Sequence, residues 1–149
     1  MIYNSLVKIF TKTTHERVEK MTDKELLALA IDARGRAYAP YSGYFVGASV
    51  LCADGRTYLG CNIENASYGA CLCAERAALA AAVCDGNRNI VKIAVIGSGE
   101  GICTPCGICR QVISELAPEC LVICGDNSGE YEAFPIKELL PRGFNLPVP

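Results

Sequence analysis

The sequence predicts an α/β protein in three α/β/α layers: a mixed five-stranded sheet with helices on both faces. Three observations carry this. A capping box opens an apolar-faced helix early in the chain, two strand-like runs flank an Asp-Gly turn, and beyond them helical and strand-like segments alternate. The turn makes one pair of strands antiparallel, while the alternation demands crossovers, so the sheet is mixed. At 149 residues the chain is one domain by length, with room for a real hydrophobic core.

The elements follow in order. Residues 1–20 carry no clear period and are expected to form a loosely held N-terminal arm, leaving 21–149 as the folded domain. Thr22 and Glu25 form the capping box of a helix running to about Arg36, with Leu26, Leu27, Ala30 and Ile31 on its apolar face. Pro40 and Gly43 mark a loop. Strands are expected over 45–52 and 56–61, joined at Asp54-Gly55, followed by a polar loop over 62–71. The alanine-rich stretch from Cys73 to Cys84 reads as helix, 90–97 as a buried strand, and Pro105 suits the first turn of a helix ending near Leu116. Short strands over 120–124 and 131–134, a helical piece near 135–140 and a proline-rich tail complete the chain.

Composition narrows the function classes. The chain is 51% hydrophobic and 20% charged, with a net charge of −2. That balance leaves no electrostatic footprint for nucleic acid or an anionic membrane and favours a small, near-neutral partner. The apolar excess and many alanines point to surfaces buried between subunits. Ten cysteines raise the question of disulfides, but charged residues interrupt the N-terminal stretch, so neither a secretory signal nor a membrane span is expected. Reduced thiols in a cytoplasmic protein follow. Cys52, Cys61, Cys84, Cys120 and Cys124 sit in apolar or alternating runs and are expected to act as small core hydrophobes.

Two motifs hold the chemistry, Cys73-Ala74-Glu75 and Pro105-Cys106-Gly107-Ile108-Cys109. Three soft ligands suit Zn2+, and a site with three protein ligands keeps a fourth position for water, the pattern of a catalytic metal rather than a structural one. Both motifs fall at predicted helix starts, where unpaired N–H groups and the helix dipole favour thiolates. Cys106 and Cys109, three apart, share one helix face. The only histidine, His15, lies in the arm and is a poor ligand, while Cys71 or Cys103 would be the fourth ligand of a closed site. Glu75, in the first turn beside Cys73, is the candidate base. Three thiolates on one Zn2+ leave a net charge of −1, so Arg76 and Arg110 are candidates to donate hydrogen bonds to the sulfurs.

Cys-Ala-Glu-Arg followed by Pro-Cys-Gly-Ile-Cys-Arg-Gln resembles the small, zinc-dependent cytidine deaminases of pyrimidine salvage, from about Thr22 to Phe144. The resemblance implies one zinc per chain on Cys73, Cys106 and Cys109, and Glu75 as proton shuttle. The implied reaction is hydrolysis of cytidine or deoxycytidine to the uridine form and ammonia by a zinc-activated water. Asn62-Ile63-Glu64-Asn65-Ala66-Ser67-Tyr68-Gly69 resembles the family's ribose-binding loop, with Asn62 and Glu64 on the hydroxyls. Leu139 to Phe144 resembles the segment whose Phe stacks on the base in a neighbouring subunit. Carried over, Phe144, Ala66 and Tyr68 serve across the interfaces of a homotetramer with shared active sites. Tyr44 and Phe45 stand where the family usually has Phe then Pro, so Tyr44 is expected to line the base pocket, its hydroxyl needing a polar neighbour or solvent. Two other readings use the same motifs: deamination of another small aminopyrimidine such as blasticidin S, and a non-catalytic, zinc-stabilised binding module.

Overall fold

The structure is a computed structural model that describes residues 21–147. The expected arm over 1–20, and His15 within it, lie outside the described residues. Helix α1 spans Asp23–Arg34. Its capping box is closed in both directions: Glu25 N donates to Thr22 Oγ1 at 3.2 Å, and Thr22 N donates to Glu25 Oε2 at 2.7 Å. Strands β1 (Val46–Cys52) and β2 (Thr57–Cys61) form the expected hairpin, with Gly55 in the left-handed region its turn requires. Helix α2 (Ala74–Cys84), β3 (Ile90–Gly97), α3 (Gly107–Leu116), β4 (Leu121–Gly125), β5 (Tyr131–Pro135) and the single turn α4 (Ile136–Leu139) follow.

The sheet order is β2-β1-β3-β4-β5, with β3 and β4 parallel and the other neighbours antiparallel. Successive side chains of β3 alternate between the two layers. Ala94 and Ile96 join Leu26, Leu27 and Ala30 of α1, Leu51 and Ile123 on one face. Ile93 and Val95 join Ala78 and Leu79 of α2, Ile113 of α3, Val50 and Val122 on the other. Burial on both faces is why the central strands read as continuous apolar runs. Each fully buried Leu or Ile contributes about 1.5–3 kcal/mol. Ser49, buried on the α1 face, is satisfied by donating to Leu26 O at 2.7 Å.

Two glycines set the spacing of the layers. A Cβ on Gly47 would run into the backbone of Ala30 and Arg34 in α1, and one on Gly60 into Ala74 O and Ala78 N of α2. The second close approach seats the start of α2, and with it Cys73 and Glu75, directly on β2.

The structure corrects several local expectations. Ile31 is 46% exposed, and Ala33 rather than Ile31 completes the buried face of α1, because the helix crosses the sheet on the stripe from Leu26 to Ala33. Cys84, last residue of α2, is exposed and Cys61 is half-buried, while Cys52, Cys120 and Cys124 are core. Pro105 lies outside α3: Cys106 is the N-cap, so the proline precedes the helix instead of occupying its first turn. The loop after β2 is pinned on both sides, Ile63 forming bridges to Tyr38 and Leu72, and includes a 3₁₀ turn at Tyr68–Ala70.

Candidate metal centre and active-site cavity

Cys73 is the N-cap of α2 and Cys106 the N-cap of α3; both have extended backbone and neither side chain caps its own helix. The two sulfurs are therefore free to face away from their helices, and they lie 3.8 Å apart. Cys109, in the first turn of α3, is fully buried beneath them, and all three Sγ atoms fall within 4.8 Å of one another. Tetrahedral zinc with bonds of about 2.3 Å separates its sulfur ligands by about 3.8 Å, so this donor set fits the ion in both chemistry and spacing. Among the described residues no other cluster of His, Cys, Asp or Glu has such an arrangement.

The electrostatics favour a thiolate at Cys73. A hydrogen bond from the Cys109 thiol lowers its pKa most, with the Arg76 guanidinium adding to the effect against the cost of burial. Arg76 Nη2 lies 3.6 Å from Cys73 Sγ and 3.0 Å from Cys71 O, so it reaches the sulfur and is steadied by the loop before α2. Arg110 does not behave as expected. Its guanidinium donates to Pro105 O, Leu139 O and Thr104 Oγ1, and touches no sulfur. Its side chain is long enough to reach past its own helix start and clamp the loop in front of Cys106.

A cavity of about 490 Å³ lies at the cluster, and Cys73, Cys106 and Glu75 line it. Glu75 is 4% exposed, and that burial pushes its carboxyl pKa up. Ser42, Asn62 and Glu64, and Tyr44, Ile102, Cys103 and Thr104, line the same cavity. The segment 62–64 is held rigidly, with Tyr38 N donating to Asn62 O at 3.0 Å and Glu64 N to Tyr38 O at 2.8 Å. Asn62 bridges backbone groups across the cavity edge, accepting from Val46 N and donating to Tyr44 O, both at 2.8 Å. Glu64 accepts from Tyr41 N at 2.8 Å and from the Ser42 hydroxyl, which holds its carboxyl below the usual range.

Tyr44 lies against bare backbone: a Cβ on Gly97 or Gly99 would collide with its ring. The polar neighbour its hydroxyl needs is Cys103 Sγ, at 3.7 Å. Cys103 and Cys71 both line the cavity, but neither belongs to the three-sulfur cluster. Ala66, Tyr68 and Phe144 are not brought to the cavity of their own chain. All three are exposed, Tyr68 at 79% and Phe144 at 67%. Ser42, Ile102 and Thr104 were not singled out from sequence; only their proximity to Tyr44 and Cys106 along the chain hinted at the wall they form. No helix of the described residues is long and apolar enough to cross a membrane.

Comparison with known proteins agrees with this geometry. The profile of the cytidine and deoxycytidylate deaminase zinc-binding region matches residues 20–124. A cytidine deaminase of Halalkalibacterium halodurans is 46% identical over 125 residues, 83% of this chain and 95% of the relative. The crystal structure of the Burkholderia pseudomallei cytidine deaminase superposes with a TM-score of 0.81 at 45% identity, over 83% of this chain and all of that one. That of Mycobacterium tuberculosis gives 0.74 at 36%, over 85% of this chain and all of the other. A three-cysteine centre between two helix starts, on a mixed five-stranded sheet shared with these enzymes, places the chain in the family of zinc-dependent cytidine and deoxycytidylate deaminases.

Proposed function

We propose that this chain deaminates cytidine and deoxycytidine by hydrolysis, giving uridine or deoxyuridine and ammonia, as a step in pyrimidine salvage. The observation that carries the reading is one cavity lined by Glu75, by two of the three clustered cysteines, and by Asn62 and Glu64. It is the size of a small-ligand pocket and offers partners for hydroxyls beside the metal cluster.

Cys73, Cys106 and Cys109 would hold one zinc, which when bound supplies a Lewis acid able to lower the pKa of water towards about 7. Glu75 takes one proton of the attacking water and delivers it to the ring nitrogen next to the amino-bearing carbon. It then takes the remaining proton from the newly added hydroxyl and passes it to the amino group, which departs as ammonia as the carbonyl forms. Its burial suits the task, since desolvation raises the carboxyl's affinity for a proton, as befits a group that takes one up and hands it on. Arg76 offsets the excess negative charge of three thiolates. Asn62 and Glu64 have acceptor capacity beyond their backbone bonds for ribose hydroxyls, and a site built on such bonds rejects ligands that lack them. Tyr44 forms the flat wall for the base.

The exposed Ala66, Tyr68 and Phe144 support assembly as a homotetramer in which each cavity is completed by neighbouring chains. Residues 21–149 form the deaminase domain of a cytoplasmic enzyme whose partner is a small nucleoside, with no role for nucleic acid or membrane. The test is ammonia release with cytidine and deoxycytidine, set against cytosine, CMP, blasticidin S and single-stranded DNA. Turnover confined to the two nucleosides is the expected result; turnover of DNA, or of none, overturns the reading.

A further inference from the structure

Helix α3 carries more than metal ligands. Directly after Cys109, two consecutive side chains turn to the C-terminal segment and hold its carbonyls: Arg110 Nη1 donates to Leu139 O at 3.1 Å, and Gln111 Nε2 donates to Phe144 O at 2.7 Å. The segment lies tightly on the helix, because a Cβ on Gly143 would come within 3.3 Å of Ser114 Oγ. The Phe144 ring has no such anchor and is 67% exposed. The backbone of Phe144 is thus fixed while its side chain is presented outward.

We infer that Gln111 is a positioning residue for Phe144, aiming its ring at the cavity of a neighbouring copy of this chain. The inference rests on the proposed stacking role of Phe144 and adds the means by which the ring is placed. A short amide-to-carbonyl hydrogen bond restrains the backbone at the ring's own residue, so loss of the donor frees the ring without removing it. Arg110 extends the arrangement: the same guanidinium that holds Leu139 also holds Pro105 O at 2.8 Å, immediately before the ligand Cys106. One helix turn therefore ties the loop of the metal centre to the segment that reaches the next subunit.

The consequences are specific. Gln111→Glu replaces the donor with an acceptor facing a carbonyl, Gln111→Met keeps the shape without a donor, and Gln111→Lys keeps a donor of similar reach. With zinc content and melting temperature as checks on the fold, Gln111→Glu should raise KM for cytidine about threefold or more with kcat little changed, and Gln111→Lys should restore it. Gln111→Met takes the place of Gln111→Glu if the latter fails to fold. Phe144→Ala alone should raise KM roughly 5- to 150-fold, the loss of one stacking contact, and adding Gln111→Glu to it should cost nothing further. If Phe144→Ala leaves KM unchanged, the stacking role fails and the inference falls with it. If Phe144→Ala raises KM while the Gln111 variants leave it within twofold, or if the two effects simply multiply, the stacking role stands and Gln111 does not position the ring.

Discussion

Cys73 Sγ and Cys106 Sγ, 33 residues apart in the chain, meet at 3.8 Å because each residue is the N-cap of its own helix. An N-cap has extended backbone, and here neither sulfur is used to cap, so the two helix starts aim free thiols at a common point. The unpaired N–H groups at those starts favour the thiolate form that a metal needs.

This arrangement assigns the ligands individually. Cys73→Ser, Cys106→Ser and Cys109→Ser should each lose most of the bound zinc, whereas Cys71→Ser and Cys103→Ser should keep close to one ion per chain. Metal analysis of the purified variants decides it. Full loss in Cys71→Ser or Cys103→Ser together with retention in Cys73→Ser would reassign the site.

Gly60 should be as sensitive as a ligand although it touches no metal. The Cβ of Gly60→Ala would overlap Ala74 O and Ala78 N, both backbone atoms that cannot rotate away, so α2 must shift. Overpacking of this kind costs about 1–3 kcal/mol. At roughly 2–4 °C per kcal/mol for a chain of this size, melting should fall by several degrees. Zinc affinity should fall with it, because Cys73 moves with the helix; unchanged zinc binding and melting would show that α2 is not held by this contact.

Much of this framework was legible in the residues, for reasons the structure makes plain. Thr22 and Glu25 satisfy each other locally, and Ile90 to Gly97 is a strand buried on both faces, so both were readable without tertiary information. The candidate metal cluster was readable because Cys106 and Cys109 are spaced by one helical turn and both cysteine motifs sit at helix starts. What was not readable depends on which stripe of a helix meets the sheet. Ile31 belongs to the same apolar run as Leu27 but falls outside the contact, and Cys84 ends α2 where the helix leaves the core. Arg110 was ambiguous because a long guanidinium reaches several acceptors, and only the placement of Leu139 brought it to the tail rather than to the sulfurs. The amide of Asn62 sits on two backbone groups of the strand-entry loop, a contact no pattern in the sequence announces.

The core thiols predict a pH dependence of stability. Burial raises Cys52 to about 11 and Cys120 and Cys124 to about 12, against about 8.5 for a free thiol. A group whose pKa is raised by folding contributes stability that is fully present below the unfolded pKa and is lost as pH rises through the folded one. Melting temperature should therefore hold up to about pH 8.5 and decline between there and about pH 12, and Cys120→Ala should flatten that decline. In native protein near pH 8, alkylation followed by mass spectrometry should mark the exposed Cys84 well before these three. Early labelling of Cys120 or Cys124 would contradict their burial.

Sharing of sites between chains can be tested by complementation. On the proposed roles, Glu75→Ala chains lack the proton shuttle, and Phe144→Ala chains lack the ring that each would lend to a neighbour. Refolded together, they should form some sites that draw Glu75 from one variant and Phe144 from the other. At cytidine concentrations below KM, the mixture should exceed the summed activity of the two variants refolded separately. A mixture that only equals the sum, with exchange of subunits verified by mass, would mean that Phe144 serves its own chain.

The most direct test of the account is turnover of cytidine by zinc-loaded Glu75→Gln. The substitution preserves shape and removes the group proposed to move protons, so one zinc per chain and nucleoside binding should persist. The rate should fall by about 10²–10⁴-fold or more, since on the proposed mechanism one carboxylate handles several transfers. A fully loaded variant that keeps more than about a tenth of the wild-type rate would contradict the assignment of Glu75, and with it the mechanism.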